Sequence, residues 1–313
     1  MFIGIDIGGT NIKYGVVDNS GNILNQNSLE NNQNIHPNII FEKFKSIIPK
    51  LIEQFPSVQS MGIGVPGIID KSGVLDVSPN LPLWKGFNIG NEFKKISHLT
   101  IAVDNDANAA AIAELELGNG TDLENFIYVT LGTGIGGAII INKKIFKGTS
   151  GGAGEIGHTI INSEHKDNSL QPFRLGILEE FAGRNAIIKN YQSQVTLHHS
   201  GIQSENNLDV KDIAELAKYG SKPAIDCLNS IARLIGIGLA SAMNLLDIPY
   251  VIIGGGISQA GDFFFDTIRT TIKERSLPTI SYKFEVREAF FKQNTGIIGA
   301  AMLGANKLKA GNN

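Results

Sequence analysis

The 313-residue chain has one cysteine, Cys227, so it can form no intramolecular disulfide and no multi-cysteine metal site. It is also sparing with charge: 18% of residues are charged and the formal net charge is −3. That balance argues against binding nucleic acid through bulk positive charge. Low-complexity tracts are missing, and 42% hydrophobic residues exclude a disordered chain. No apolar run is long enough to span a bilayer. The longest, Ile231 to Leu246, is interrupted by Arg233, Ser241 and Asn244 and reads as a buried, glycine-bearing helix. The opening MFIGIDIGGT has no basic segment ahead of an apolar stretch, so a secretory signal is not expected. A cytoplasmic protein without membrane or nucleic-acid partners is the expectation.

Glycine, by contrast, is abundant: 36 residues, gathered in a few short turns. Clustered glycine marks backbone that bends tightly or lets something approach closely. Two such stretches share a layout, Phe2 to Leu24 and Phe126 to Gly148. Phe2 falls on Phe126, Gly8 on Gly132 and Val16-Val17 on Ile140-Ile141, a constant offset of 124 residues. Each reads as strand, Gly/Thr-rich turn, strand, polar turn, strand. Glycine hairpins can resemble one another by chance, but this offset is about one domain. A duplicated domain would set two equivalent turns facing each other across a cleft, an arrangement suited to gripping phosphates.

Between and after the repeats, apolar spacing predicts a helix over Asn38–Phe55 and strands at Ser60–Val65 and Leu99–Val103. Helices follow at Ala107–Leu117, Ile177–Gln192, Val210–Leu246 and Thr295–Lys309, with a strand at Tyr250–Ile253. The Asn-rich segment 27–38 reads as a surface loop without function. Alternating strands and helices imply an α/β architecture of helix-covered sheets.

Asp6-Ile7-Gly8-Gly9-Thr10-Asn11 follows a strand directly, so its backbone N–H groups can approach phosphate oxygens while Thr10 and Asn11 add donors. Asp6, at the strand end, suits a hydrated Mg²⁺. A plain hairpin explains one such turn; the matching Gly132-Thr133-Gly134 favours phosphate. Neither turn is a P-loop, and neither leads into a helix as a Rossmann turn must. Gly254-Gly255-Gly256, after an apolar strand, suits the face of a nucleotide base or sugar, or a structural tight turn. Asp104-Asn105-Asp106-Ala107-Asn108 opens an alanine-rich helix. Capping uses one side chain, yet four polar ones are packed here, and Asp106 is the candidate proton acceptor. Glu155, His158 and Glu179 offer acceptors for vicinal hydroxyls with no evident positive partner. Glu180, His165, His198 and His199 read as surface residues.

Together these motifs resemble the ROK family of sugar kinases and repressors, of the actin/hexokinase/Hsp70 class. The resemblance rests on DIGGTNIK (Asp6 to Lys13), GVPGIID (Gly64 to Asp70), PNLPLW (Pro79 to Trp84), NDANAAAIAE (Asn105 to Glu114), TLGTGIGG (Thr130 to Gly137), GGAGEIGH (Gly151 to His158) and GGGI (Gly254 to Ile257). It implies two actin-like (ribonuclease H-like) lobes of mixed sheets flanked by helices: 1–117, joined by a returning helix 297–313, and 118–296. It also implies ATP on Asp6, Gly8, Gly9, Thr10, Asn11, Lys13, Gly132, Thr133, Gly134, Gly254, Gly255 and Gly256, with Mg²⁺ reached from Asp6 through water. Asp106 matches the catalytic base. Hexose contacts fall on Gly67, Asn80, Asn105, Asp106, Glu155, His158 and Glu179, and a homodimer is expected. One departure is clear. Where the family often carries a C-x-C-G-x-x-G-C-x-E zinc segment, this chain has Leu170, Pro172 and Ile177 in the cysteine positions. Structural zinc is therefore not expected, and apolar packing is expected to hold the loop.

The resulting reading is an ATP- and Mg²⁺-dependent hexose kinase acting on the 6-hydroxyl, with glucose first. N-acetylmannosamine, N-acetylglucosamine or fructose as acceptor, or polyphosphate as donor, are the alternatives within that class. A sugar-responsive repressor is the alternative outside it; such proteins carry a helix-turn-helix ahead of the first glycine turn, whereas here the first strand starts at Phe2.

Overall fold

Both glycine-turn repeats fold into hairpins, and each hairpin seeds a five-stranded sheet. The computed structural model describes residues 1–70, 72–198, 208–292 and 294–311; His199 and the side chain of His198 lie outside that description.

β1 (Phe2–Ile7) is buried along almost its whole length, as a central strand covered on both faces should be. It pairs antiparallel with β2 (Asn11–Val17), which carries β3 (Ile23–Glu30) on its other edge. Residues 27–30, expected in a loop, instead continue β3. An edge strand whose side chains face mostly water shows no strong apolar alternation, so its polar composition mimics a loop. Helix α1 (Pro37–Gln54) starts with proline at N1 and buries Ile40, Phe41, Phe44, Ile48 and Leu51 along one face. β4 (Ser60–Val65) then adds to β1 in parallel. A small ribbon, β5 (Ile68–Ile69) and β6 (Leu75–Val77), precedes α2 (Ile89–Ile96), whose Phe93 meets the Phe41 and Phe44 rings at 4.8 and 5.2 Å. β7 (Thr100–Asn105) and α3 (Asp106–Leu117) complete this half, with strand order β3-β2-β1-β4-β7.

The second half repeats the plan. β8 (Phe126–Leu131), β9 (Ile135–Ile141) and β10 (Lys144–Ile145) are followed by α4 (Leu178–Ala182), α5 (Arg184–His198), α6 (Val210–Lys218) and α7 (Lys222–Leu246). The helix expected over Ile177–Gln192 is two, broken at Gly183. Then come β11 (Tyr250–Gly254), α8 (Asp262–Arg275), α9 (Pro278–Ser281), β12 (Glu285–Glu288) and α10 (Thr295–Gly311). The order β10-β9-β8-β11-β12 matches the first sheet position for position, which is the topology of a duplicated α/β unit.

The chain gathers into two compact units. One contains Met1–Glu124, Ile139–Ala153 and Gln293–Asn313; the other contains Asn125–Ala138 and Gly154–Lys292. In the first, α10 lies against β1, β4 and α3. In the second, α7 packs on α5 and α8. The run Ile231–Leu246 is only the last part of α7. At 25 residues that helix is long and apolar enough to cross a membrane by length and composition, yet 56% of its most apolar window is buried inside the protein.

Candidate active site

In the first unit the candidates converge where β7 turns into α3. The helix cap is Asn105: its Oδ1 accepts the N–H groups of Ala107 (2.8 Å) and Asn108 (3.3 Å), and its Nδ2 donates to the Gly67 carbonyl at 3.0 Å. Asp106 takes the first helical position instead. Its Oδ1 accepts the Ala107 N–H at 2.9 Å, and its charge reaches the Asp6 carboxyl at the end of β1. Burial, followed by the Asp106 charge, pushes the Asp6 carboxyl up to about 6, and Lys13, its cross-strand partner on β2, pulls the other way. Two oxygen donors carrying surplus negative charge suit a hydrated Mg²⁺, which takes one or two carboxylates and completes its shell with phosphates and water. Among the described residues no group of three His, Cys, Asp or Glu could hold a metal ion by itself.

Asp104, 3% exposed, anchors this corner. One oxygen accepts the Asn105 N–H and the Asn108 side-chain amide, both at 2.8 Å, and the other meets Lys147 Nζ at 2.6 Å. The glycine turn beside it is tied down as well. Gly8 donates its N–H to the Asn11 carbonyl at 2.9 Å, and Asn80 packs against Gly9. Asn31, inside the segment read as a surface loop, corrects that placement: it is 4% exposed. Its Nδ2 donates to the Gly8 carbonyl at 2.8 Å and its N–H to the Thr10 carbonyl at 3.0 Å. The signal for Asn31 lies in strand pairing, which sets Glu30 opposite Asn11 and so delivers Asn31 to the turn.

The other candidates belong to the second unit. Within Gly132-Thr133-Gly134, Gly132 donates to the Gly134 carbonyl at 3.0 Å, and the Thr133 carbonyl accepts the Arg184 N–H at 3.2 Å. Glu179 bonds to the same turn, accepting the Ile135 N–H at 2.8 Å, and a Cβ on Gly134 would collide with its carboxylate. Glu179 does have a positive partner: Arg174 Nη2 donates to it at 2.9 Å. Glu180 is no idle surface residue either, since Arg174 Nε donates to it at 2.6 Å. His158 lies 3.6 Å from Glu155, too long for a hydrogen bond but close enough for the carboxylate to raise the imidazole above its ordinary value.

The loop in the cysteine-free position is not held as expected. Ile177 is buried, but Leu170 is only half-buried and Pro172 is exposed. Backbone bonds close it: Ile161 (2.8 Å) and Asn162 (3.1 Å) donate to the Gly176 carbonyl, and Leu178 donates to Thr159 at 2.9 Å. His165, read as a surface residue, accepts the Gly176 N–H at 3.1 Å and stands edge-on to Phe181. Gly254–Gly256 leads from β11 into a short turn whose Ser258 and Gln259, with Lys218, Asp262, Phe265 and Glu288, line a polar cavity of about 270 Å³.

Known proteins bear on this arrangement. A ROK family glucokinase from Streptomyces griseus, solved with glucose and AMPPNP, is 30% identical and superimposes with a TM-score of 0.80 over 97% of this chain and 99% of its own. A glucokinase from Streptomyces coelicolor is 31% identical over 97% of both chains. A xylose repressor from Bacillus spizizenii is 26% identical over 96% of this chain and 76% of its own. The ROK family model matches residues 2–307, and the chain belongs to that family.

Proposed function

We propose that this protein is an ATP-dependent hexose kinase, with glucose as its first acceptor. The observation that carries the reading is the division of labour at the start of α3. Asn105 makes the cap, and the Asp106 carboxylate, which accepts the Ala107 N–H at 2.9 Å and lies within electrostatic reach of Asp6, is the group assigned as base. Asp106 takes the proton of the sugar hydroxymethyl as its oxygen bonds to the γ-phosphorus and the bond to the ADP oxygen breaks. Gly67, Asn80, Asn105, Glu155, His158 and Glu179 are the hexose contacts. Asp6, Gly8, Gly9, Thr10, Asn11, Lys13 and the Gly132–Gly134 turn receive the phosphates. Gly254–Gly256 and the adjoining cavity take adenosine. When bound, Mg²⁺ reached from Asp6 supplies charge neutralisation on the phosphates. The glucokinase relatives support this reading.

The test is turnover with ATP across a hexose panel that includes N-acetylmannosamine and fructose, for wild type and Asp106→Asn. Glucose is expected to give the highest kcat/KM. The substitution is expected to lower kcat ~10²–10⁴-fold with an unchanged melting temperature. Near-normal turnover by Asp106→Asn would overturn the assignment. The xylose repressor among the relatives motivates a second reading, a sugar-responsive regulator. It is distinguished by a sugar-induced rise in melting temperature without ADP release.

A further inference from the structure

Arg174 ends a short 3-10 turn, Pro172–Arg174, and its side chain is 26% exposed. Its guanidinium bonds to both carboxylates of an adjacent pair, Nη2 to Glu179 Oε1 at 2.9 Å and Nε to Glu180 Oε1 at 2.6 Å. The other oxygen of Glu179 is taken by the Ile135 N–H. Glu179 is therefore held at both ends, by a cation on one side and by the residue following the Gly132–Gly134 turn on the other. Consecutive carboxylates, each about four-fifths buried, repel one another and swing apart unless a cation stands between them. Arg174 is that cation.

We propose that Arg174 is a positioning residue for the hexose: together with the Ile135 N–H it holds the Glu179 carboxylate in one orientation, and so sets sugar affinity. This rests on the assignment of Glu179 as a hexose contact. The other groups around Glu179 do not substitute for it. His158 feels the Glu179 charge but is drawn first to Glu155, Arg184 of α5 is engaged by Asp209, and α7 presents the uncharged Gly238 to Leu178 of α4. A planar fork satisfies both carboxylates at once, which a lysine ammonium cannot do in the same geometry.

The experiment is steady-state kinetics, with the hexose that wild type turns over best, on Arg174→Met, Arg174→Lys, Arg174→Met with Glu180→Gln, and Glu179→Gln. Losing a charge-assisted bond to Glu179 is expected to raise the hexose KM about tenfold to a hundredfold, with a much smaller change in kcat. Without the guanidinium the two carboxylates push apart and Glu179 leaves its orientation, so the loss falls on KM rather than on kcat. Adding Glu180→Gln removes the repelling neighbour and is expected to recover part of the lost affinity. Arg174→Lys is expected to fall between wild type and Arg174→Met. A purely structural Arg174 would lower the melting temperature, with no recovery of KM on adding Glu180→Gln, and that result overturns the proposal. So does an unchanged KM in Arg174→Met. If Arg174→Met does not fold, an unchanged KM in Arg174→Lys overturns it instead. An unaffected KM in Glu179→Gln means that Glu179 does not contact the hexose, and the assignment beneath the proposal fails with it. A raised KM there, with Arg174→Met unaffected, overturns the positioning role alone.

Discussion

Single residues were legible where chemistry and sequence proximity coincide. Asp104 to Asn108 are consecutive, so the competition between capping and proton transfer could be posed from the sequence, and the geometry resolved it in favour of Asn105 as cap. Arg174 with Glu179 and Glu180 could not be read that way. The residues straddle a loop and a helix start, so no helical i,i+4 rule pairs them. Asn31 and Lys147 were equally hidden, because their partners Gly8 and Asp104 are distant in sequence and are met only after folding. The Glu155–His158 pair has a consequence that can be measured. The carboxylate raises the imidazole pKa above 6.5, so the pair contributes stability that is present below the unfolded value and lost as pH rises through the folded one. Glu155→Gln removes the charge that holds the proton. The His158 pKa, followed by NMR titration of the ring protons, is expected to fall toward the ordinary histidine value. A pKa equal to that of wild type would assign the upward shift to another group.

At the scale of elements, the two hairpins were the most readable parts. β1 and β8, and β2 and β9, begin and end at the same 124-residue offset, because turn glycines and apolar strands leave a dense local pattern. β3 was harder, and so was the packing of α10, although its helix was expected over Thr295–Lys309. The first is polar and paired only at an edge, and the second owes its burial to distant backbone. α10 approaches β4 so closely that a Cβ on Gly62 would run into the Ala300 carbonyl and the Gly304 nitrogen. Those are backbone atoms of a packed helix and cannot swing aside, so the helix itself would have to move. Gly62→Ala is expected to destabilise by about 3 kcal/mol or more, read from denaturant midpoints at unchanged slope. Gly256→Ala is the control, because nothing lies within 4 Å of its added Cβ. Its stability is expected to stay within about 0.5 kcal/mol of wild type. Equal losses for the two variants would show that close helix–sheet approach is not what fixes Gly62.

For the whole molecule, the repeat pointed to a duplicated α/β unit with equivalent hairpins, and only the resemblance, not the repeat, implied that the C-terminal helix returns to the first unit. Ile139–Ala153 and Gln293–Asn313 gather with Met1–Glu124, an outcome set by long-range packing such as α10 on β1 and Lys147 on Asp104. The same long-range view bears on metal content. A structural zinc takes four ligands, usually thiolates and imidazoles. The only thiol is buried in α7, donates to the Ile187 carbonyl, and is pushed up to about 12 by burial, far from the thiolate a metal requires. The loop Thr159–Leu178, where the family often places its cysteines, is closed by backbone bonds to Gly176 and Thr159, by His165 accepting from Gly176, and by Arg174 on two glutamates. With His165 Nδ1 occupied and His158 drawn to Glu155, the nearby imidazoles already have other partners. Purified protein is expected to carry well under one zinc per chain by elemental analysis. EDTA is expected to leave the melting temperature unchanged, and any activity lost on chelation is expected to return with Mg²⁺ alone. Stoichiometric zinc, or stability that falls on chelation and recovers only with zinc, would mean that a metal holds the loop instead of these bonds.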